Sequence, residues 1–229
     1  MNQPLLCVIP YCGRLNYLRM LLATIREADN VADVRVLIYR TRLDADVPED
    51  LLRDLNASII DFDLGADKNW HAHHAVWQDV FLNHYEHEFL LNFDSDAIVH
   101  PWVFTKTQEM IQRFPDMGMG CLFNQESDPD IDFGDPLYFH KDVIGFLGAV
   151  ISRKLVALLW EQPAEDRGYS AACAEAGWKI CCTRTSFVEH LGWEGLNSPN
   201  WEAGLPEGDR YPDGKIRIAR ARRFMSEFQ

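Results

Sequence analysis

The segment Phe89-Leu90-Leu91-Asn92-Phe93-Asp94-Ser95-Asp96 is apolar and ends in two carboxylates one residue apart. In an extended chain alternate side chains share a face, so Asp94 and Asp96 would point the same way, roughly 7 Å apart at about 3.3 Å per residue. Two acids so placed at the carboxyl end of a strand can share one divalent cation, and hard oxygen donors suit Mg2+ or Mn2+ carrying substrate phosphates. In open α/β sheets that edge is where ligands bind. A polar turn with two solvated acids would use the same residues, so the pair gains meaning only from what accompanies it.

Three other features accompany it. Pro10-Tyr11-Cys12-Gly13-Arg14 lies between an apolar run and an amphipathic stretch, where helix amides and a guanidinium could receive a phosphate; it also reads as a plain tight turn. Glu165-Asp166 opens a helical stretch, where the dipole stabilises negative charge by about 0.3 to 1 kcal/mol. An acid kept ionised there could accept an alcohol proton, or could simply cap the helix. His190 follows the strand-like Phe187-Val188-Glu189, and a neutral imidazole there could complete an oxygen-rich cation site or be a structural residue.

Short apolar strands alternating with helices must position these groups. Strands are predicted over Leu5 to Ile9, Val34 to Tyr39, Ala57 to Phe62, the run ending at Asp94, Met117 to Phe123, Trp178 to Thr183 and Phe187 to His190, while Val143 to Ile151, small and apolar, reads as ordered without a type. Helices are predicted from Arg14 to Ala28, Pro48 to Leu55, Trp70 to Tyr85, Pro101 to Phe114, Arg153 to Trp160 and Glu165 to Glu175, the last stopped by Gly177. Such alternation marks a doubly wound α/β sheet. The polar stretch from Asn124 to Asp135 is long for a plain connection and reads as a mobile or functional segment, or as a solvated acidic loop; the Gly- and Pro-rich stretch from Leu191 to Asp213 carries Trp193 and Trp201, which could anchor the tail.

With 229 residues, 47% of them hydrophobic, the chain can bury one sizeable core. A net charge of −13 argues against nucleic acid as main partner, since phosphate backbones need a positive surface. The local exception is the tail, where Lys215, Arg217, Arg220, Arg222 and Arg223 read first as a solvated terminal helix and could also touch an anionic membrane surface or partner. Six cysteines without a Cys-x-x-Cys pair are expected to be reduced packing residues, and the lack of a leader-like or long apolar run predicts a cytoplasmic protein.

The order and spacing of these features resemble the GT-A glycosyltransferases, especially the inverting enzymes of family 2. Val8-Ile9-Pro10-Tyr11-Cys12-Gly13-Arg14-Leu15 matches their opening strand, Pro-containing turn and helix; Phe93-Asp94-Ser95-Asp96 matches their Asp-x-Asp. Glu165-Asp166, followed at the family's interval by Ala176-Gly177-Trp178-Lys179-Ile180, matches their Glu-Asp pair, and His190 their closing histidine. The resemblance covers about residues 4 to 193. It implies an α/β, GT-A (Rossmann-like) fold: a mostly parallel central sheet flanked by helices, with a nucleotide-sugar half over about 1–100, an acceptor half over about 101–193, and 194–229 as lid and basic tail.

The resemblance also implies a hexosyltransferase-like enzyme with a nucleoside diphosphate sugar as donor, a uridine one foremost. The acceptor would be a carbohydrate or other hydroxyl-bearing molecule, Mn2+ or Mg2+ the cofactor, and the transfer inverting by single displacement. Carried onto this sequence, Asp96 would hold the metal, Asp94 the metal or ribose, and His190 a third coordination position. Asp166, with Glu165 beside it, would supply the base, and Pro10, Tyr11, Arg14, Asp44, Lys68, Asn69, His73 and Ser95 would border the donor.

Three positions depart from the family pattern. Tyr39-Arg40-Thr41-Arg42 replaces an Asp-rich turn, leaving Asp44 as its substitute; Lys68-Asn69-Trp70-His71-Ala72-His73-His74 replaces Arg-Asn-x-Gly, with His71 and His74 read as helix surface; and Gly168 replaces an acid. The rival readings are a haloacid-dehalogenase type phosphohydrolase with Asp94 as nucleophile, a nucleotide-sugar binding module without turnover, and, more remotely, a sugar nucleotidylyltransferase.

Overall fold

The computed structural model describes residues 4–64, 71–124, 130–131 and 134–191, with the backbone alone at 71, 130 and 131. In chain order the elements are β1 (Leu5–Tyr11), α1 (Leu15–Arg26), β2 (Val34–Arg40), β3 (Ala57–Asp61), α2 (His71–Asn83), β4 (Phe89–Asn92), β5 (Ala97–Val99), α3 (Val103–Arg113) and β6 (Met119–Cys121). They continue with β7 (Asp130–Ile131), β8 (Tyr138–Lys141), β9 (Ala149–Ser152), α4 (Arg153–Leu158), α5 (Asp166–Glu175), β10 (Ile180–Thr183) and β11 (Val188–His190).

Among the described residues the main sheet has nine strands in the order β3-β2-β1-β4-β9-β6-β10-β8-β7. Parallel pairing joins β3 to β2, β2 to β1, β1 to β4 and β6 to β10, while β9 and β8 run against all the others. The sheet is therefore mostly parallel in direction, as expected.

The apolar run of β1 is continuous because both faces of the strand are covered. Leu5, Cys7, Ile9 and Tyr11 enter one core with Leu18, Leu22 and Ile25 of α1 and Phe104 and Met110 of α3. Leu6 and Val8 enter the other, with Val76, Trp77 and Val80 of α2, Leu155 of α4 and Tyr169 of α5. Deleting a fully buried Leu or Ile side chain from either layer typically costs about 2 to 5 kcal/mol. All six cysteines are free thiols, five of them buried.

Beyond the short strands β7 and β8, which fall where no strand was predicted, two elements differ from expectation. The helix predicted from Pro48 to Leu55 is a single 3-10 turn, Glu49–Leu52, because Arg53 returns to extended geometry and Asp54 takes a left-handed φ of 64°. Leu51, Leu52 and Leu55 still pack against the first core, so the apolar spacing reflected burial rather than a full helix. Unforeseen, β5 follows directly on the Asp pair and pairs antiparallel with β11 as a separate two-stranded ladder, Ala97 opposite His190 and Val99 opposite Val188. Among the described residues no helix is long and apolar enough to cross a membrane.

Gly148 lets that ladder close on the main sheet. Its φ is +62°, and a Cβ there would stand 2.8 Å from Val188 Cγ2 of β11. Gly148→Ala therefore combines left-handed strain with a collision, and we expect it to lower stability by about 1 to 3 kcal/mol. Urea denaturation checks this; an unchanged midpoint would contradict it.

Candidate functional site

Strand β4 stops at Asn92, and residues 94–97 form a turn closed by Ala97 N–H donating to Asp94 O at 3.1 Å. The two carboxylates are thus set by a turn, not by the alternation of an extended strand. The turn stands beside the end of β1, since Phe93 N–H donates to Val8 O at 2.9 Å. After β1, Gly13 turns the chain at φ +113° and delivers Arg14 as the first residue before α1. The Arg14 guanidinium lies 2.6 Å from Asp96 Oδ2, and the Asp96 side chain is buried.

His190 reaches the same point from the β5–β11 ladder, its Nε2 lying 3.4 Å from Asp96 Oδ1. That oxygen is buried and makes no hydrogen bond among the described residues. From α2, His73 Nε2 donates to Asp94 Oδ1 at 2.9 Å, and the Asp94 side chain keeps 30% of its surface open. Burial works to raise the Asp94 pKa, but the hydrogen bond and charge of His73, with His190 and Arg14 beyond, outweigh it and hold the carboxyl below its ordinary range. For His190 burial favours the neutral ring; proximity to Asp96 and then Asp94 outweighs this and raises its pKa, Arg14 opposing. The centre consists of two acids answered by three basic side chains.

Asp166 opens α5, half-buried, its Oδ1 accepting from Arg167 N–H at 2.8 Å; Glu165 precedes it, exposed and without a side-chain capping bond. The helix start is tied to the loop before β9: Ser170 Oγ donates to Asp166 O and accepts from Ile144 N–H, and a Cβ on Gly145 would lie 3.9 Å from Asp166 Oδ2. The next residue, Phe146, packs against His73, Trp77 and Tyr169 with ring centres 5.4, 4.7 and 5.4 Å away. Asn92, fully buried, receives Trp77 Nε1–H at 3.1 Å and donates to Phe146 O at 2.9 Å. The loop from Gly145 to Phe146 therefore bridges the acid turn and the start of α5. Gly168 has a steric reason: a Cβ there would stand 2.5 Å from Ala164 Cβ, so the acid of the resembling family has no room.

The remaining predicted residues are more scattered. Tyr11 is buried, and its hydroxyl donates to Asp46 O at 3.1 Å, fastening the loop after β2 rather than facing outward. Pro10 is half-buried in β1, and Ser95 is buried between the two acids. Asp44 is exposed and paired with Arg42, whose hydrogen bond lowers its pKa. Lys68 and Asn69 lie outside the described residues, as do the side chain of His71, Trp193, Trp201, most of the acidic stretch after Asn124 and the basic tail. His74, read as helix surface, is instead buried and hydrogen-bonded to the Tyr169 hydroxyl, because α2 is covered on that side by α5. Asn92, Trp77, Phe146 and Tyr169 were not anticipated; a polar Asn inside an apolar strand was the one available signal for them.

Among the described residues no three of His, Cys, Asp and Glu form a ready-made cation cage. The donor types nevertheless suit a hard divalent ion: two carboxylates and one imidazole, with Asp96 Oδ1 buried and unbonded. What stands in the way is the basic side chain already on each acid, Arg14 on Asp96 and His73 on Asp94.

No protein-family model matches the chain, and no curated protein matches it in sequence. Solved structures do. S. aureus TarS 1-349 in complex with UDP-GlcNAc superposes with a TM-score of 0.57 at 14% identity, over 87% of this chain and 64% of that one. The mannosyltransferase PcManGT from Pyrobaculum calidifontis, in complex with GDP-Man and Mn2+, gives 0.57 at 16% identity, over 88% and 61%. The chain thus spans less than two thirds of either protein. Its fold is the GT-A glycosyltransferase fold that the sequence resemblance implied.

Proposed function

We propose that this chain transfers a sugar from a nucleoside diphosphate sugar to an acceptor hydroxyl. What carries the reading is the meeting, at the carboxyl edge of a GT-A sheet, of a buried and a half-open aspartate, a guanidinium, and an acid at a helix start one loop away. The two structural neighbours hold UDP-GlcNAc and GDP-Man, which supports a nucleotide-sugar donor without choosing the base.

In this reading Asp96, Asp94 and His190 would hold Mn2+ or Mg2+, which when bound neutralises charge growing on the departing diphosphate. Arg14 and the first amides of α1 face the phosphates. Asp166 takes the proton of the acceptor hydroxyl as that oxygen bonds to the anomeric carbon from the face opposite the diphosphate. The bond to the diphosphate breaks, its electron pair leaves with the diphosphate, and the single displacement inverts the anomeric centre. The loop bearing Gly145 and Phe146 fixes the base relative to the donor side. A phosphohydrolase reading has less support: in that family the Asp pair closes an early core strand, whereas here it follows β4, on a sheet that superposes on glycosyltransferases.

The test is a calorimetric screen of UDP- and GDP-sugars with and without Mn2+. A nucleotide sugar that binds more tightly with Mn2+ is the expected result. If none binds, the proposal fails; binding with neither transfer nor donor hydrolysis would leave a binding module.

A further inference from the structure

Asp96 is held at 2.6 Å by Arg14, and the remaining oxygen of that carboxylate is buried, unbonded and 3.4 Å from His190 Nε2. A divalent cation seated on Asp96 would come into close repulsion with the guanidinium already there, in a site shielded from water. The Arg14 side chain retains 29% of its surface open, and its element begins at a turn whose Gly13 takes a φ of +113°. Among the described residues the Asp94–Asp96 turn supplies the carboxylate paired with Arg14; an incoming diphosphate would offer the guanidinium a competing anion.

We propose that Arg14 is a resident counter-ion of the aspartate turn that competes with the divalent cation for Asp96, and that a nucleoside diphosphate relieves the competition by taking over the guanidinium. The inference rests on the proposed donor chemistry and adds a rule of order to it. Without nucleotide, Arg14 occupies Asp96 and the cation binds weakly. With nucleotide, the diphosphate oxygens accept the guanidinium hydrogen bonds, Asp96 is released to the cation, and cation and diphosphate each strengthen the other's binding. The coupling is reciprocal, so Mn2+ must tighten the nucleotide by the same factor by which the nucleotide tightens Mn2+.

The competition predicts that removing a site residue improves cation binding. Mn2+ binding to the full chain, read from the free-ion electron paramagnetic resonance signal without any nucleotide, should tighten about tenfold or more in Arg14→Gln, because Asp96 then lacks its cationic partner. Arg14→Lys, which keeps the charge, should stay near wild type. Adding UDP or GDP should tighten Mn2+ about tenfold in wild type and leave Arg14→Gln nearly unchanged. Because an unfolded acidic chain could itself take up Mn2+, circular dichroism must show each variant folded before its Mn2+ affinity is compared. Equal or weaker Mn2+ binding by Arg14→Gln in its folded form overturns the competition. Full coupling retained in that variant overturns the handover. If neither nucleotide binds any form while Arg14→Gln still tightens Mn2+, the donor reading falls and the competition stands.

Discussion

Asp166→Asn should leave donor and Mn2+ affinities at wild-type values while transfer falls about 100- to 10,000-fold. The substitution conserves shape, and Asn Oδ1 can keep accepting from Arg167 N–H, so the start of α5 is undisturbed. Ser170 Oγ, which donates to the Asp166 carbonyl and receives Ile144 N–H, depends only on the main chain at 166. Only the capacity to take a proton is lost. On the proposed mechanism that capacity is used as the acceptor oxygen attacks, so the loss should fall on kcat and not on ground-state donor binding. Glu165, exposed beside it, offers a control: it has no side-chain capping bond, so Glu165→Gln should cost far less. Single-turnover transfer with saturating donor separates the two cases. Wild-type turnover by Asp166→Asn would remove it from the base's role.

How much of this was legible beforehand follows from the range of the interactions. The strands with both faces covered, β1 and β2, were readable because continuous burial leaves a continuous apolar run. α1 was readable because Leu18, Leu22 and Ile25 repeat at helical spacing on one buried face. By contrast β5, three residues long, carries no pattern of its own and exists through a partner about ninety positions later in the chain, so its pairing with β11 could not be read locally. The same distance hid the way His190 reaches Asp96. For the acid pair, alternation predicted the wrong local geometry: it assumes extension, and Ala97 N–H instead closes a turn on Asp94. His74 misled because α2 is covered on two sides and its amphipathic pattern is blurred, with Val76, Trp77, Val80 and Phe81 all buried. Gly168 looked like a missing acid; Ala164 pressing on the same spot is a contact no spacing rule contains.

Asp96→Asn should show the opposite signature from Asp166→Asn, with binding lost together with rate. Asp96 is where three independent segments meet: the turn after β4, the residue preceding α1 and the end of β11. Neutralising it leaves the Arg14 guanidinium, mostly enclosed, beside an amide, and it removes the group that raises the His190 pKa. Loss of the ion pair that the buried Asp96 makes with Arg14 should lower stability by about 1 to 3 kcal/mol. The larger effect concerns the ligand. With one carboxylate gone, Asp94 alone, already hydrogen-bonded to His73, is left to compensate a divalent ion. Nucleotide-dependent Mn2+ binding should become undetectable, and transfer should fall about 100- to 1,000-fold or more, the range for removing one electrostatic contact to a developing charge. The pH dependence of stability should change with it. Because its folded pKa is raised, His190 contributes stability below its ordinary pKa that is lost as pH rises through the folded value; in Asp96→Asn that contribution shrinks, so the variant's deficit should be larger at pH 6 than at pH 8. Urea denaturation at the two pH values, with Mn2+ titration alongside, measures both effects. A variant that binds Mn2+ with nucleotide as wild type does would place the cation elsewhere than on the aspartate turn.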